Sequence, residues 1–399
     1  MFRYDNHPSG RHFLQIPGPT NVPDRVLRAI DRPTIDHRGP EFAGLARSIL
    51  DRIGAVFGTR EPVVIYPGSG TGAWEAALVN TLSAGDRVLM AETGHFATLW
   101  KRLAERLGLV AEFLPGDWRH SADPDAIGAC LAADRAHAIR AVCVVHNETS
   151  TGVVTDVAAV RGAIDAARHP ALLMVDAISS LGSIECRHDD WRVDVTIAGS
   201  QKGLMLPPGL SFNAASARAR AASKEARLPR AYWSWDEIIA ANAKGYWPTT
   251  PATNLLYGLD AALDQLFEEG LAAVFERHLR HGEATRAAVR AWGLDLQCVN
   301  PAAYSNTLTA VRVPDGHDAD HLRRIALERF DLSLGTGLAK LAGRAFRIGH
   351  LGDLNDLTVV ATLAGVEMSL HAAGIPHAPG GVAAAMTLLR SPAASRPQA

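Results

Sequence analysis

One lysine and one aspartate stand where a sheet could put them to use. Lys202 closes the stretch Val195-Thr196-Ile197-Ala198-Gly199-Ser200-Gln201, and Asp176 closes Ala171-Leu172-Leu173-Met174-Val175. Each follows a short apolar run, the place where a parallel sheet presents its ligand-binding edge. Lys202 is followed by residues 203–209, which carry no charge. An amine in such surroundings holds its proton less tightly and attacks carbonyls more readily. A lysine that forms a Schiff base with an aldehyde, and a carboxylate that keeps a pyridine nitrogen protonated, are what pyridoxal phosphate (PLP) requires. Taken singly, the aspartate could be a turn or cap residue and the lysine a solvated one.

Other segments add to the pair. Pro67-Gly68-Ser69-Gly70-Thr71-Gly72 follows a strand-like run and opens a helix-like one. Backbone N–H groups at a helix start, with small hydroxyls beside them, cradle phosphate, and glycines let the chain approach the anion. A dinucleotide loop is the rival reading. Glu92 stands at about the distance it asks, but the three glycines lack the Gly-x-Gly-x-x-Gly spacing. In Thr93-Gly94-His95-Phe96 an aromatic ring could lie on one face of a flat cofactor. Phe96 is the expected residue and His95 the alternative register. In His146-Asn147-Glu148-Thr149-Ser150 a hydroxyl could bond a ring oxygen, or the segment could be a polar turn capping the next helix. Arg347 lies inside the β-like run Phe346-Arg347-Ile348-Gly349. Facing inward, it would pair two-pronged with a carboxylate; facing outward, it would be an edge-strand charge. Gly245-Tyr246-Trp247-Pro248-Thr249 could supply phosphate contacts or be a surface loop.

The elements that must place these residues are strand-length apolar runs alternating with helical patterns. Residues 63–66, 87–90, 141–145 and 171–175 read as strands; residues 72–82, 98–107 and 157–167 read as helices. That alternation predicts a mostly parallel α/β sheet with helices on both faces. After about residue 258 the pattern changes. Residues 259–292 read as one or two long helices, residues 306–313 and 345–349 as strands, and residues 319–329 and 354–373 as amphipathic helices. A small α+β domain fits, divided from the first within the long helix at about 272–282. The expected organisation is an arm at 1–16, a large domain at 17–275, a small domain at 276–388 and a flexible tail at 389–399.

The chain has 399 residues, 40 basic against 42 acidic, with no basic block. A nucleic-acid partner is not expected. Four cysteines are scattered without metal-ligand or disulfide spacing, so reduced thiols and no metal are expected. The first twelve residues lack the apolar core of a signal peptide, and the apolar stretch 357–370 is too short to span a membrane. A cytoplasmic protein is the expectation.

Together and in this order, the motifs resemble the class V aminotransferases, and within them the alanine/serine–glyoxylate aminotransferase branch. Pro17-Gly18-Pro19-Thr20-Asn21-Val22-Pro23 and Asp36-His37-Arg38 look like that branch's N-terminal signature. Val175-Asp176-Ala177-Ile178-Ser179-Ser180-Leu181-Gly182 and Gly199-Ser200-Gln201-Lys202-Gly203 resemble its cofactor motifs. The resemblance runs from about residue 11 to 385. It implies an α/β fold, PLP fold type I: a large domain with a mostly parallel seven-stranded sheet between helices, and a smaller C-terminal α+β domain.

It also implies roles. Lys202 would form the Schiff base and shuttle the proton, and Asp176 would pair with the pyridine nitrogen. Ile178 would pack on the ring face opposite Phe96, and Thr149 would contact the ring hydroxyl. Ser69, Gly70, Thr71 and Gln201 would hold the phosphate. Tyr246 and Thr249 would reach the phosphate of a neighbouring subunit, which implies a homodimer with shared sites. Arg347 would bind the substrate carboxylate, with Thr20 and Asn21 bordering the substrate. Some relatives carry tryptophan where Phe96 stands here. The implied reaction is ping-pong transfer of an amino group from serine or alanine to glyoxylate. Aspartate and 2-aminoethylphosphonate are alternative donors, and Arg38 is a candidate cation for aspartate. A cysteine desulfurase-type lyase would need a mobile nucleophilic cysteine in the later half. Only Cys298 lies there, and Gln201 stands where those enzymes tend to place histidine.

Overall fold

The computed structural model describes residues 10–390. The expected tail lies outside the described residues from position 391 onward, as do the first nine residues of the arm. In chain order the first half contains β1 (Phe13–Gln15), α1 (Asp24–Ile30), α2 (Pro40–Phe57), β2 (Val63–Gly68), α3 (Gly70–Thr81), β3 (Arg87–Ala91), α4 (His95–Arg106), β4 (Val110–Leu114), α5 (Pro124–Ala133), β5 (Ile139–Val145), β6 (Asn147–Glu148), β7 (Val153–Val154), α6 (Val157–Ala166), β8 (Leu172–Asp176) and β9 (Val195–Gly199). The second half contains β10 (Gly209–Ala215), α7 (Ala217–Glu225), α8 (Trp235–Asn242), α9 (Thr253–Glu269), α10 (Leu271–Ala291), β11 (Asp295–Leu296), β12 (Leu308–Arg312), α11 (Ala319–Phe330), β13 (Leu332–Thr336), β14 (Ala345–Gly349), α12 (Asp356–Ala372) and α13 (Gly381–Leu389).

Seven strands form one sheet in the order β2-β10-β9-β8-β5-β3-β4. Only β10 runs against its neighbours, pairing antiparallel with both β2 and β9. This is the mostly parallel seven-stranded sheet the resemblance implies. Central strands β8 and β9 are buried along their whole length. Both faces are covered by helices, so their sequences read as continuous apolar runs rather than alternations. A second sheet, β1-β13-β14-β12-β11, belongs to the smaller C-terminal unit. Its strand β1 comes from the other end of the chain and pairs parallel with β13, Phe13 opposite Leu332.

Local chemistry sets the element ends. Pro40 begins α2 in the first turn, where its missing N–H costs nothing. Asp156 accepts from the Ala159 amide and starts α6. The stretch read as one or two helices is two, broken at Gly270, whose φ of +83 no helix interior adopts. Along α10, Val274 packs in the core of the large sheet, whereas Ala284, Ala288 and Val289 pack in the core of the small one.

Candidate active site

Strands β2, β3, β5, β8 and β9 run in one direction, so their C-terminal ends collect on one edge of the sheet. Asp176 ends β8, the Lys202 loop follows β9, α3 follows β2, α4 follows β3, and residues 146–152 follow β5.

Lys202 is buried. Burial, with the Arg347 charge adding, pushes its amine down to about 7, while Asp176 opposes the shift. Nζ donates to the Pro17 carbonyl. The backbone amide of Thr20 donates to the Gln201 carbonyl at 3.1 Å, and Thr20 Oγ1 reaches the Lys202 carbonyl at 3.4 Å. The segment 16–20 therefore straps across Lys202. Gly18, at φ +104, lies so close that an added Cβ would stand 2.6 Å from Lys202 Cε. Asp176 is buried too, and burial lifts its carboxyl to about 7. The Ile178 amide donates to its Oδ1 at 2.8 Å and opposes that rise, while Glu148 adds to it.

Ser69, Gly70 and Thr71 meet at the start of α3, where the first amides have no carbonyl a turn earlier to bond. A Cβ on Gly70 would collide with Ile178. A Cβ on Gly199 would stand 3.1 Å from Gln201 Oε1, 3.5 Å from Ile178 Cγ2 and 3.7 Å from the Gly70 amide nitrogen. The structure thus gathers Gly70, Ile178, Gly199 and Gln201 into one small space. Gln201 Oε1 is buried there without a hydrogen-bond partner. Rotating that terminal amide aims its NH₂ at the same space, a donor for an anion.

Thr149 Oγ1 donates to Ser179 Oγ at 2.7 Å, and Ser179 Oγ donates to the Asn147 carbonyl at 2.8 Å. Arg347 is buried inside β14, facing inward rather than to water. Its Nη1 donates to the Thr149 carbonyl at 2.7 Å and its Nε to the Thr336 carbonyl at 2.8 Å. Two backbone carbonyls hold the guanidinium, and among the described residues no side-chain carboxylate bonds it. Burial lowers its proton affinity to about 10, with Glu148 opposing. His95 and Phe96 open α4 with rings 5.6 Å apart, edge to face. Burial, then Arg102 and Arg347, lower the His95 proton affinity, which puts that ring in reach of the Arg347 charge.

Glu148 was not singled out from the sequence. It is fully buried, and its carboxylate accepts from the amides of Phe96 (3.3 Å), Ala97 (3.1 Å) and Ser150 (3.0 Å) and from Ser150 Oγ (2.6 Å). Every partner is a donor, which suits an ionised carboxylate at a helix start.

Other sequence candidates lie elsewhere in the chain. Asn21 Nδ2 bonds the Leu14 carbonyl at 3.2 Å, and Asn21 faces a cleft of about 1100 Å³ that contains none of Lys202, Asp176 or Arg347. Thr249 and Arg38 are exposed, and Tyr246 is half-buried against the large core. The loop carrying Tyr246 and Thr249 is fixed at Trp247, whose Nε1 donates to the Ile65 carbonyl at 2.9 Å. His37, next to Arg38, lines an open cavity of about 420 Å³ with residues 250–255, beside that loop. Cys298 is buried, its Sγ against the carbonyls of Asn300 and Ala303, and burial raises its pKa. That environment suits an inert thiol rather than a mobile nucleophile.

With the geometry in place, the comparisons with known proteins bear on it. A family profile described as aminotransferase class-V matches residues 12–343. The chain belongs to the class-V aminotransferases. It is 49% identical over 388 residues to a serine–glyoxylate aminotransferase of Methylorubrum extorquens, covering 96% of each chain. It is 45% identical to an L-aspartate–glyoxylate aminotransferase of Paracoccus denitrificans, over 95% of this chain and 96% of that protein. The crystal structure of pyridoxamine–pyruvate aminotransferase from Mesorhizobium loti superposes with a TM-score of 0.89, at 31% identity, over 96% of this chain and 99% of that one.

Class-V aminotransferases use PLP, and the residues here fit it. The buried, unpartnered amide of Gln201, the open helix start at Gly70, the uncharged-leaning amine of Lys202 and the buried carboxyl of Asp176 match a phosphate, an aldehyde and a pyridine nitrogen in turn. Among the described residues no helix is long and apolar enough to cross a membrane.

Proposed function

We propose that this class-V aminotransferase transfers the amino group of a small L-amino acid, serine or alanine, to glyoxylate, giving glycine and a 2-oxo acid by a ping-pong mechanism. The observation that carries the reading is the buried Lys202 amine, lowered to about 7 beside a buried Asp176 and a carbonyl-held Arg347. The names of the similar proteins support glyoxylate as the acceptor.

PLP, when bound, supplies an electron sink for the bonds at the substrate's α-carbon. The chain's own residues do the rest. Ser69, Gly70, Thr71 and Gln201 would hold the phosphate. Asp176 would pair with the pyridine nitrogen and keep a proton there. Ile178 and Phe96 would pack against the ring, and Thr149 would bond its hydroxyl. Arg347 presents Nη2 to the substrate carboxylate, since its Nε and Nη1 are already committed to carbonyls. Lys202, whose buried amine can stand uncharged, would take the α-proton at Nζ and return it on the other side of the transfer; such proton transfer contributes about 10²–10⁴-fold. The strap at residues 17–20 borders the substrate and keeps water from the amine. The same proposal covers an arm at 1–16, a large domain at 17–275 and a small domain at 276–388. It also covers a homodimer in which Tyr246 and Thr249 complete the neighbouring subunit's phosphate site.

Borohydride treatment of the PLP-loaded protein followed by peptide mass analysis tests the core: a reduced adduct on Lys202 is expected, and no adduct there ends the reading. Mixing the loaded enzyme with serine, alanine or aspartate alone, and following the cofactor spectrum, ranks the donors. Aspartate is the second reading, because Arg38 is exposed and its neighbour His37 lines the cavity with residues 250–255, which follow the loop assigned to the shared site. Arg38→Ala would then slow the aspartate half-reaction and spare alanine.

A further inference from the structure

Helix α10 carries Arg277 and His278 side by side, and both act on the peptide groups of Gly352. Arg277 makes a two-pronged ion pair with Glu269 at the end of α9, at 2.6 and 2.9 Å. Its Nη1 donates to the carbonyls of Gly352 at 2.9 Å and Leu354 at 3.3 Å. His278 Nδ1 donates to the Val274 carbonyl at 2.7 Å, which leaves Nε2 as an acceptor. Nε2 accepts the Gly352 amide at 3.0 Å. Burial first, and Arg277 next, hold the ring neutral. Gly352 is therefore gripped at its N–H by His278 and at its C=O by Arg277.

What Gly352 leans on connects the grip to the site. Its φ is +84, and an added Cβ would stand 3.0 Å from Thr20 Cβ. Gly349, three residues earlier, abuts the strap as well, with its Cβ position 2.9 Å from the Pro17 nitrogen. The strap in turn touches the reacting amine: Pro17 takes Lys202 Nζ, and Thr20 bonds the Gln201 and Lys202 carbonyls. Arg347 lies on the same strand as Gly349.

We propose that Arg277 and His278 are positioning residues. They clamp Gly352 from α10, so that residues 349–352 press the 16–20 strap onto Lys202 and keep Arg347 in register with it. This deepens the transamination reading and rests on Lys202 being the reacting amine. The clamp ties Glu269, at the end of the large unit, through Arg277 to the small unit, where β14 sits.

The test uses the full-length protein and two substitutions. His278→Leu removes the acceptor and keeps the volume; His278→Gln returns an acceptor at a similar reach. In cofactor-free protein, amide exchange in both the 13–22 and the 345–355 segments should quicken about tenfold in His278→Leu and recover in His278→Gln. In the loaded enzyme, KM for amino acid and for glyoxylate should rise about tenfold while kcat moves less than about threefold. The borohydride adduct on Lys202 should still form. Faster exchange confined to residue 352 with unchanged KM overturns the clamp, as does His278→Gln behaving like His278→Leu. Absence of the adduct in the unsubstituted protein would instead sink the transamination reading. If His278→Leu does not fold, Arg277→Gln carries the same measurements, since it removes both carbonyl contacts from a partly exposed position.

Discussion

Burial moves the titrations of Lys202 and Asp176 toward each other, both to about 7, and the signs can be worked out. Asp176 rises from 3.8 to about 7 on folding, through burial. Between those values the native chain holds a proton the unfolded chain has lost, so stability falls as pH rises through that window. Lys202 drops from 10.5 to about 7. Between those values the unfolded chain holds the extra proton, so stability rises with pH. Cofactor-free Asp176→Asn should melt with the wild type near pH 4 and above it at pH 8; melting curves at both pH values check this. Lys202→Ala should lose the adduct and at least about a hundredfold in turnover, measured by coupled assay. Gly18→Ala adds a methyl where Lys202 Cε stands 2.6 Å away, at a φ of +104; the variant should fold, yet react with PLP far more slowly in a spectrophotometric time course. Lys202 and Asp176 were legible because each ends an apolar run. Glu148 was not, because four donors that explain a buried carboxylate come from α4 and Ser150, which only folding brings to it.

Helix α4 starts at its N-cap Gly94, whose residue type offers no side-chain cap, so Glu148 supplies one from another element. Glu148→Ala leaves buried amides of Phe96 and Ala97 without an acceptor, a cost of about 1–3 kcal/mol. Urea unfolding should show that loss, and cofactor affinity should fall with it, because α4 presents Phe96 and His95. The legibility of elements divides the same way. Strands β2, β3, β5 and β8 were readable as apolar runs. Strand β10 was not, since Ser211 and Asn213 interrupt it. Inside the fold Asn213 is met by Tyr66, Trp235 and the Ala73 carbonyl, partners up to 147 positions away. Strands β1, β4 and β13 also escaped the reading. β1 is three residues long, and β13 carries Ser333 and Gly335 among its apolar positions.

At the scale of the whole molecule, the proposed shared sites make a prediction no single-subunit site would share. Lys202→Ala and Tyr246→Ala chains, each inactive alone, should recover activity when co-expressed and purified as mixed dimers. One of the two sites then carries both lesions and the other none, so about half of the wild-type sites return in the purified mixed dimers. No recovery in dimers verified by native mass spectrometry would place Tyr246 in its own subunit's chemistry. The pairing of β1 with β13 has a different consequence, one of timing. Leu332 is made 319 positions after Phe13. Contacts of such separation form late, because the intervening loop must close first. The strap that follows β1 cannot be seated over Lys202 until β13 has emerged, so a nascent chain builds its sheet edge long before it owns a finished site. The site stays chemically silent until the chain has been made at least as far as β13.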